Sequence, residues 1–428
     1  MRLDGGTGRA MQAMPRRRYV VCGVLFFVQL GIAIPVAAQT ANETQSRWQS
    51  VLDGSARYYS WSNSIGGHGA QLYIPAGFQT VDRPNADWKN EYLVRSGYIW
   101  ARQSTATSEF EARSMTDTTV SAKTSYYGFN GVQPFAALSV NIPTAHATTS
   151  GGNTNSSATN KTDSDIVATP TFGEGWNVGP SVGTSLSFSE TTIVSFGFGY
   201  TYRGPFMGGV PPTTGTPTNT VADFKPGDVG TINAGLGWSG ERAVVQVSLS
   251  YSMETTSYQD GMPLYRAGGR IIAGLKGGYT WDQNWSTRAA FNFSHFEKNE
   301  VSMAGLPNLV RETFNSNSDV FRVTVDQLYS KDNYSIGLTG SYLVRNHNGY
   351  DPSTFQFIPA KTSWSAGLTA QVTPAKNNTV SARVERIWVR EDNNPDKFDP
   401  LNAIIPGSGV PMTVTDAWVV SIGGNVRF

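Results

Sequence analysis

"DAWVVSIGGNVRF" (residues 416–428) closes the sequence and alternates with a period of two. Trp418, Val420, Ile422, Gly424, Val426 and Phe428 occupy the even positions; Val419, Ser421, Gly423, Asn425 and Arg427 occupy the odd ones. Successive side chains on a strand point to opposite faces, so the stretch reads as a β-strand with one apolar face and one mostly small or polar face. A bare terminal Phe on such a strand is unusual for a soluble sheet, and the rest of the chain decides what kind of sheet it closes.

The same alternation recurs upstream. Tyr334, Ile336, Leu338, Tyr342 and Val344 oppose Ser335, Gly337, Thr339, Ser341 and Arg345; Val194, Phe196, Phe198, Tyr200 and Tyr202 oppose Ser195, Gly197, Gly199, Thr201 and Arg203. "AVVQVSLSYSM" (243–253) and "TSWSAGLTAQV" (362–372) repeat it. Segments of about ten residues with a polar alternate face are the pattern of a membrane-spanning β-barrel. Composition agrees: Gly 45, Trp 11, Tyr 18 and Phe 21 stand against only 15% charged residues, a balance that favours strands over helices.

Connection lengths sort by parity. Short turns at 187–191, 239–241, 282–284, 330–332 and 374–377 alternate with long polar loops around 144–178, 204–228, 254–266, 299–317, 346–362 and 391–414. Outer-membrane barrels have short periplasmic turns and long external loops, whereas a β-sandwich has no reason to sort its loops this way. Tyr202, Trp238, Tyr251, Trp281, Trp285, Tyr334, Trp364 and Trp418 lie near segment ends on the apolar face, where barrels carry aromatic girdles.

The fold expected is therefore all-β, a transmembrane antiparallel up-and-down β-barrel of about 16 strands. The segments are 54–62, 92–103, 107–114, 119–127, 133–142, 179–188, 192–203, 229–238, 242–253, 267–281, 285–298, 318–329, 333–345, 363–373, 378–390 and 415–428. The count falls to fourteen if 107–127 is one strand and 54–62 a periplasmic or plug segment. Both counts are even, which puts the two ends of the barrel on the periplasmic side.

The first residues read differently. Arg16–Arg18 precede an apolar run from Tyr19 to Ile34, and Val36-Ala37-Ala38 suits signal peptidase. Residues 1–38 are expected to be a signal peptide, 39–53 a short periplasmic segment, and 54–428 the barrel with its extracellular loops; an uncleaved anchor is the other reading of the apolar run. Cys22, the single cysteine, lies within the signal, so the mature chain has no thiol chemistry or disulfides. Five of the 33 basic residues and one of the 32 acidic ones precede residue 39, leaving 28 against 31. Nucleic acid is not an implied partner.

On this parity the inward charged residues are Arg57, Arg95, Glu109, Glu111, Arg113, Lys123, Arg270, Lys276, Arg288, Arg322, Asp326, Arg345, Arg383 and Glu385. Charges avoid hydrocarbon, so they belong in the lumen. They read either as a positively biased wall that favours anionic solutes or as rungs such as Arg322–Asp326 and Arg383–Glu385 that stiffen it. For solute selection the wall residues are Arg270, Lys276, Arg288, Arg322, Asp326, Arg383 and Glu385. His68, His146, His295 and His347 stand apart from any serine or carboxylate at a telling spacing, no metal cluster appears, and no cofactor is expected. The chain is not expected to be an enzyme.

"PFAALSVNIPTA" (134–145), "NVGPSVGTSLSFSETTIVSFGFGYTYRG" (177–204) and "KPGDVGTINAGLGWSGERAVVQVSLSY" (225–251) resemble the bacterial outer-membrane transporter family of phenol meta-cleavage pathways, a FadL-like barrel. Family members commonly have Pro-Thr-Gly where this chain has Pro143-Thr144-Ala145. The resemblance implies a channel in the outer membrane of a Gram-negative bacterium and offers no catalytic residues. The terminal Phe428 resembles the signal read by the barrel-assembly machinery. The expected function is an outer-membrane channel or passive transporter for small organic solutes, with aromatic or fatty compounds as the narrower class. The alternative is a structural or adhesive barrel that displays its loops. Outer-membrane lipid, the assembly machinery and a small solute are the expected partners.

Overall fold

The computed structural model describes residues 47–104, 109–145, 148–150, 175–209, 221–303, 306–352, 357–392 and 413–428. The expected signal peptide lies outside the described residues, as do residues 39–46. In chain order come β1 (Trp48–Asn63), β2 (His68–Asp82), β3 (Trp88–Ser104), β4 (Glu109–Met115), β5 (Thr118–Tyr126), β6 (Val132–Ile142) and a short β7 (Thr148–Ser150). β8 (Asn177–Ser187) and β9 (Thr192–Arg203) follow, then β10 (Phe206–Gly209) and β11 (Val221–Lys225). Next are β12 (Val229–Ser239), β13 (Ala243–Glu254), β14 (Ser257–Gln259), β15 (Met262–Arg266), β16 (Arg270–Thr280) and β17 (Trp285–Phe296). The last are β18 (Glu300–Val301), β19 (Val310–Arg311), β20 (Val320–Lys331), β21 (Tyr334–Arg345), β22 (Lys361–Ala375), β23 (Asn378–Glu391) and β24 (Thr413–Arg427).

These strands close a 16-strand antiparallel barrel. Each wall strand pairs with the next in sequence, and β24 returns to β1 from Val51↔Arg427 to Asn63↔Thr415, which leaves the wall no free edge. Above the rim that carries the long loops, β10, β11, β14, β15, β18 and β19 form a second sheet from three successive loops.

The count matches the expectation, but its composition differs in the first quarter of the chain. Residues 68–82, expected as loop, are the wall strand β2. Pro75 hides it from propensity, because proline removes a ladder donor. The strand places that gap toward β1, where the ladder lapses between Gly54↔Ala76 and Arg57↔Tyr73, while Pro75 stays in register with Gly97 on β3. A Cβ on Gly97 would come within 3.0 Å of the Ile74 carbonyl oxygen and of the Tyr73 ring, so glycine lets β3 approach.

Conversely, 107–114 and 119–127 are two parts of one wall strand: β4 and β5 both pair antiparallel with β3. Tyr98↔Met115 and Arg95↔Thr119 bracket one extra residue on the β4–β5 side, a β-bulge at Thr116–Asp117. A bulge shifts register by one and turns every later side chain to the opposite face. Lys123 therefore faces inward as expected. Glu111 and Arg113 face outward beside Trp100, whose indole N–H donates to Glu111 at 2.8 Å; the side chain of Glu109 lies outside the described residues.

The outer face is apolar. Leu338 (63% exposed), Leu368 (57%) and Ile422 (57%) lie mid-strand with Phe196, Phe198, Ile232 and Leu249 in the same band. At about 25 cal/mol per Å² of apolar surface, such a belt is stable against lipid and strongly unfavourable in water. Trp88, Trp238, Trp285 and Tyr334 edge it at the short-turn rim; Tyr202, Trp364, Trp388 and Trp418 edge it at the loop rim. Outward charges at the loop rim are paired, as in Arg386–Asp416 at 2.6 Å, where the guanidinium also lies over the rings of Trp388 and Trp418.

Candidate functional site: the inner wall of the barrel

The inner face follows from register, and it differs around the barrel. From β8 to β13 it is built of small polar residues: Ser181, Ser185, Ser195, Gly197, Gly235 and Ser248 are typical. From β20 through β24 to β3 it carries bulk and charge. Tyr59, Ile387, Val389, Ala417 and Val419 form a closed apolar cluster with Trp61 packed on it, and Tyr73, Ile99 and Ala145 form a second.

Ala145, which stands where the resembling family has glycine, is thus drawn inward at the start of the loop after β6. The bulge holds it there. Asp117 accepts from the Asn141 side chain at 3.1 Å and from the Ala145 N–H at 3.2 Å, and the Thr144 hydroxyl donates to the Thr116 carbonyl at 3.0 Å. Sequence reading left Asp117 in a gap between two strands, since the acceptor role of its carboxylate depends on a loop 28 residues away.

The expected wall charges all fall on the inner face by register. Arg270 and Lys276 are on β16, Arg288 on β17, Arg322 and Asp326 on β20, and Arg383 and Glu385 on β23. Arg383 and Glu385 pair at 2.8 Å, and the Ser365 hydroxyl donates to the other Glu385 oxygen. Asp326 lies directly across from Arg288 without an ion pair between them, and one of its carboxylate oxygens is buried with no hydrogen-bond partner. Arg270 stacks over Phe296, 4.7 Å from the ring centroid. Arg270 sits at the loop end of β16, whereas Lys276 and Arg288 lie closer to the short-turn rim.

Several inward charges lay outside the strand limits read from sequence. Asp53 approaches Arg95 at 3.9 Å, Glu91 approaches Lys123 at 3.9 Å and Lys89 at 2.8 Å, and Glu391 lies 3.7 Å from Arg345 and 3.8 Å from Lys361. The wall is therefore richer in carboxylates than the alternation suggested, and much of its basic excess is compensated locally. Their signal was the continuing alternation past each assumed strand end.

At the loop rim Asp228 ties three elements together. It accepts from the Tyr200 hydroxyl at 2.7 Å, the Arg203 N–H at 3.1 Å and Lys225 at 3.0 Å. Burial alone would raise its pKa, but these hydrogen bonds outweigh it and hold the carboxyl below the ordinary value. Among the described residues no group of His, Cys, Asp and Glu is arranged to hold a metal ion.

No family model matches the chain, and no curated protein matches it. Three solved structures are similar to it at low identity. An outer membrane channel from Pseudomonas putida F1 is 10% identical with a TM-score of 0.41, covering 68% of this chain and 100% of its own. A Pseudomonas aeruginosa FadL homologue is 9% identical with a TM-score of 0.43, covering 89% of each chain. The CymD monoaromatic hydrocarbon channel is 11% identical with a TM-score of 0.37, covering 89% of this chain and 88% of its own.

Proposed function

We propose that the protein is an outer-membrane channel or passive transporter for small organic solutes in a Gram-negative bacterium. The observation that carries this reading is the two-sided wall: an apolar outer belt edged by aromatics, and an inner face of hydroxyls, glycines and charges. Lipid accounts for the first and a hydrated interior for the second. Arg270, Lys276, Arg288, Arg322, Asp326, Arg383 and Glu385 are the wall charges that act on a passing solute. Phe428 closes the last strand and serves as the mark for the assembly machinery.

Conductance of the purified protein in a planar bilayer tests the reading. Discrete open steps are expected. A silent, fully inserted barrel, together with unchanged uptake of aromatic and fatty acids in cells lacking the gene, would refute it.

A further inference from the structure

The inner wall beside the seam holds one guanidinium whose surroundings call for a ligand. Arg57 on β1 points inward, with Ser421 of β24 and Tyr73 of β2 as its ladder partners. Among the described residues it forms no hydrogen bond or ion pair. Its basic neighbours are engaged: Arg383 holds Glu385 at 2.8 Å, and Arg95 lies 3.9 Å from Asp53.

Two features make Arg57 a demanding cation. It lies between the two apolar clusters, since the row above it holds Tyr59 and Val419 and its own row continues to Tyr73 and Ile99. Arg383 also shares its row two strands away, a separation of about 10 Å. Glu385, held by Arg383, attracts Arg57 in turn but makes no ion pair with it, so a cation that is poorly hydrated and faces a like charge still gains from an anion. A small hydrophilic anion would meet the charge but not the apolar flanks. A carboxylate attached to a ring meets both: its two oxygens match the planar fork of the guanidinium, and the ring lies against Tyr73 and the partly open Trp61. The cluster above is closed, with Tyr59 2% exposed and Ala417 not exposed at all, so a ring would lie against it rather than enter it.

We infer that Arg57 anchors a binding site for aromatic carboxylates on the inner wall, a proposal that names the solute class and rests on the channel reading above. Titration calorimetry on the folded barrel in detergent tests it, with benzoate, its neutral analogue benzyl alcohol, and acetate as a carboxylate without a ring. Benzoate is expected to bind tighter than both. Arg57→Gln is expected to weaken benzoate at least about tenfold, to the level of benzyl alcohol. Arg57→Lys, which keeps the charge without the fork, should fall between, and serves if the Gln variant does not fold. Arg242→Gln, in the turn between β12 and β13, should bind as the parent does.

Benzoate binding that equals that of benzyl alcohol or acetate, or that survives Arg57→Gln unchanged, overturns the site. Bilayer conductance separates the two readings. A conducting barrel indifferent to benzoate refutes the site alone, and a silent barrel that binds benzoate through Arg57 refutes the channel alone.

Discussion

Ser50 and Phe428 exchange both backbone hydrogen bonds: the Ser50 N–H donates to the Phe428 carbonyl at 2.8 Å, and the Phe428 N–H returns to Ser50 at 3.0 Å. The terminal residue thus fastens the first turn-side rung of the β1–β24 seam, while its ring stays 64% exposed on the outer surface. Removing it deletes that rung and bares the end of both strands. Deletion of Phe428 should lower the yield of heat-modifiable, folded barrel in the outer-membrane fraction, read by gel mobility with and without boiling. Normal yield would mean that the rung and the ring are dispensable for assembly.

The second prediction concerns orientation. Cys22 is the single cysteine, and a Cys22→Ser background removes the one competing thiol. Met262 is 68% exposed on the sheet above the loop rim, and Glu241 lies in the opposite, short-turn rim. A membrane-impermeant maleimide applied to intact cells should label Met262→Cys and spare Glu241→Cys until the cells are lysed. The reverse pattern would invert the barrel.

The bulge gives a stability test. Asp117→Ala leaves the Asn141 amide and the Ala145 N–H without their acceptor in a site where Asp117 is 4% exposed. Losing buried hydrogen bonds to a charged group costs about 1–3 kcal/mol. The urea midpoint should drop, and proteolysis should speed up near residue 145 before the barrel itself unfolds. An unchanged midpoint would mean that the ladder alone holds the bulge.

Asp228 sets an acid dependence at the loop rim. Its folded pKa lies below the ordinary carboxylate value, so its contribution is fully present above that value and disappears as pH falls through the folded one. Hydrogen exchange of the Arg203 amide, corrected for the intrinsic rate, should therefore accelerate as pH falls below about 4. In Asp228→Asn the same amide should exchange fast at neutral pH and lose that acid dependence.

Charge selectivity tests the wall residues as a group. Changing Arg270, Lys276 and Arg288 to Gln together removes three inward cations from β16 and β17. The zero-current potential in a salt gradient should then shift toward cation preference, because charges inside a narrow pore are weakly screened. Unaltered preference with persisting conductance would make them structural rungs.

Alternation from Trp418 to Phe428, and its recurrence in β9, β13, β21 and β22, was enough to infer a barrel, its outer belt and its closing strand. That pattern is local, because each side chain's face depends only on its neighbours along the strand. What depended on partners across the sheet was not legible. Pro75 reads as a strand breaker until β1 is seen to forgo the hydrogen bond it cannot make. The extra residue at Thr116–Asp117 looks like a turn until β4 and β5 are seen on the same edge of β3, and only then do Glu111 and Arg113 move to the outer surface. The inner charges show the same division. Alternation placed Arg57, Arg383 and Glu385 on one face and set Arg383 beside Glu385 two residues along β23, but the carboxylates that meet Arg95 and Arg345, Asp53 and Glu391, come from other strands. Facing direction is fixed by covalent geometry within a strand, whereas register and pairing are fixed by contacts between residues far apart in the chain, and only the closed barrel brings those together.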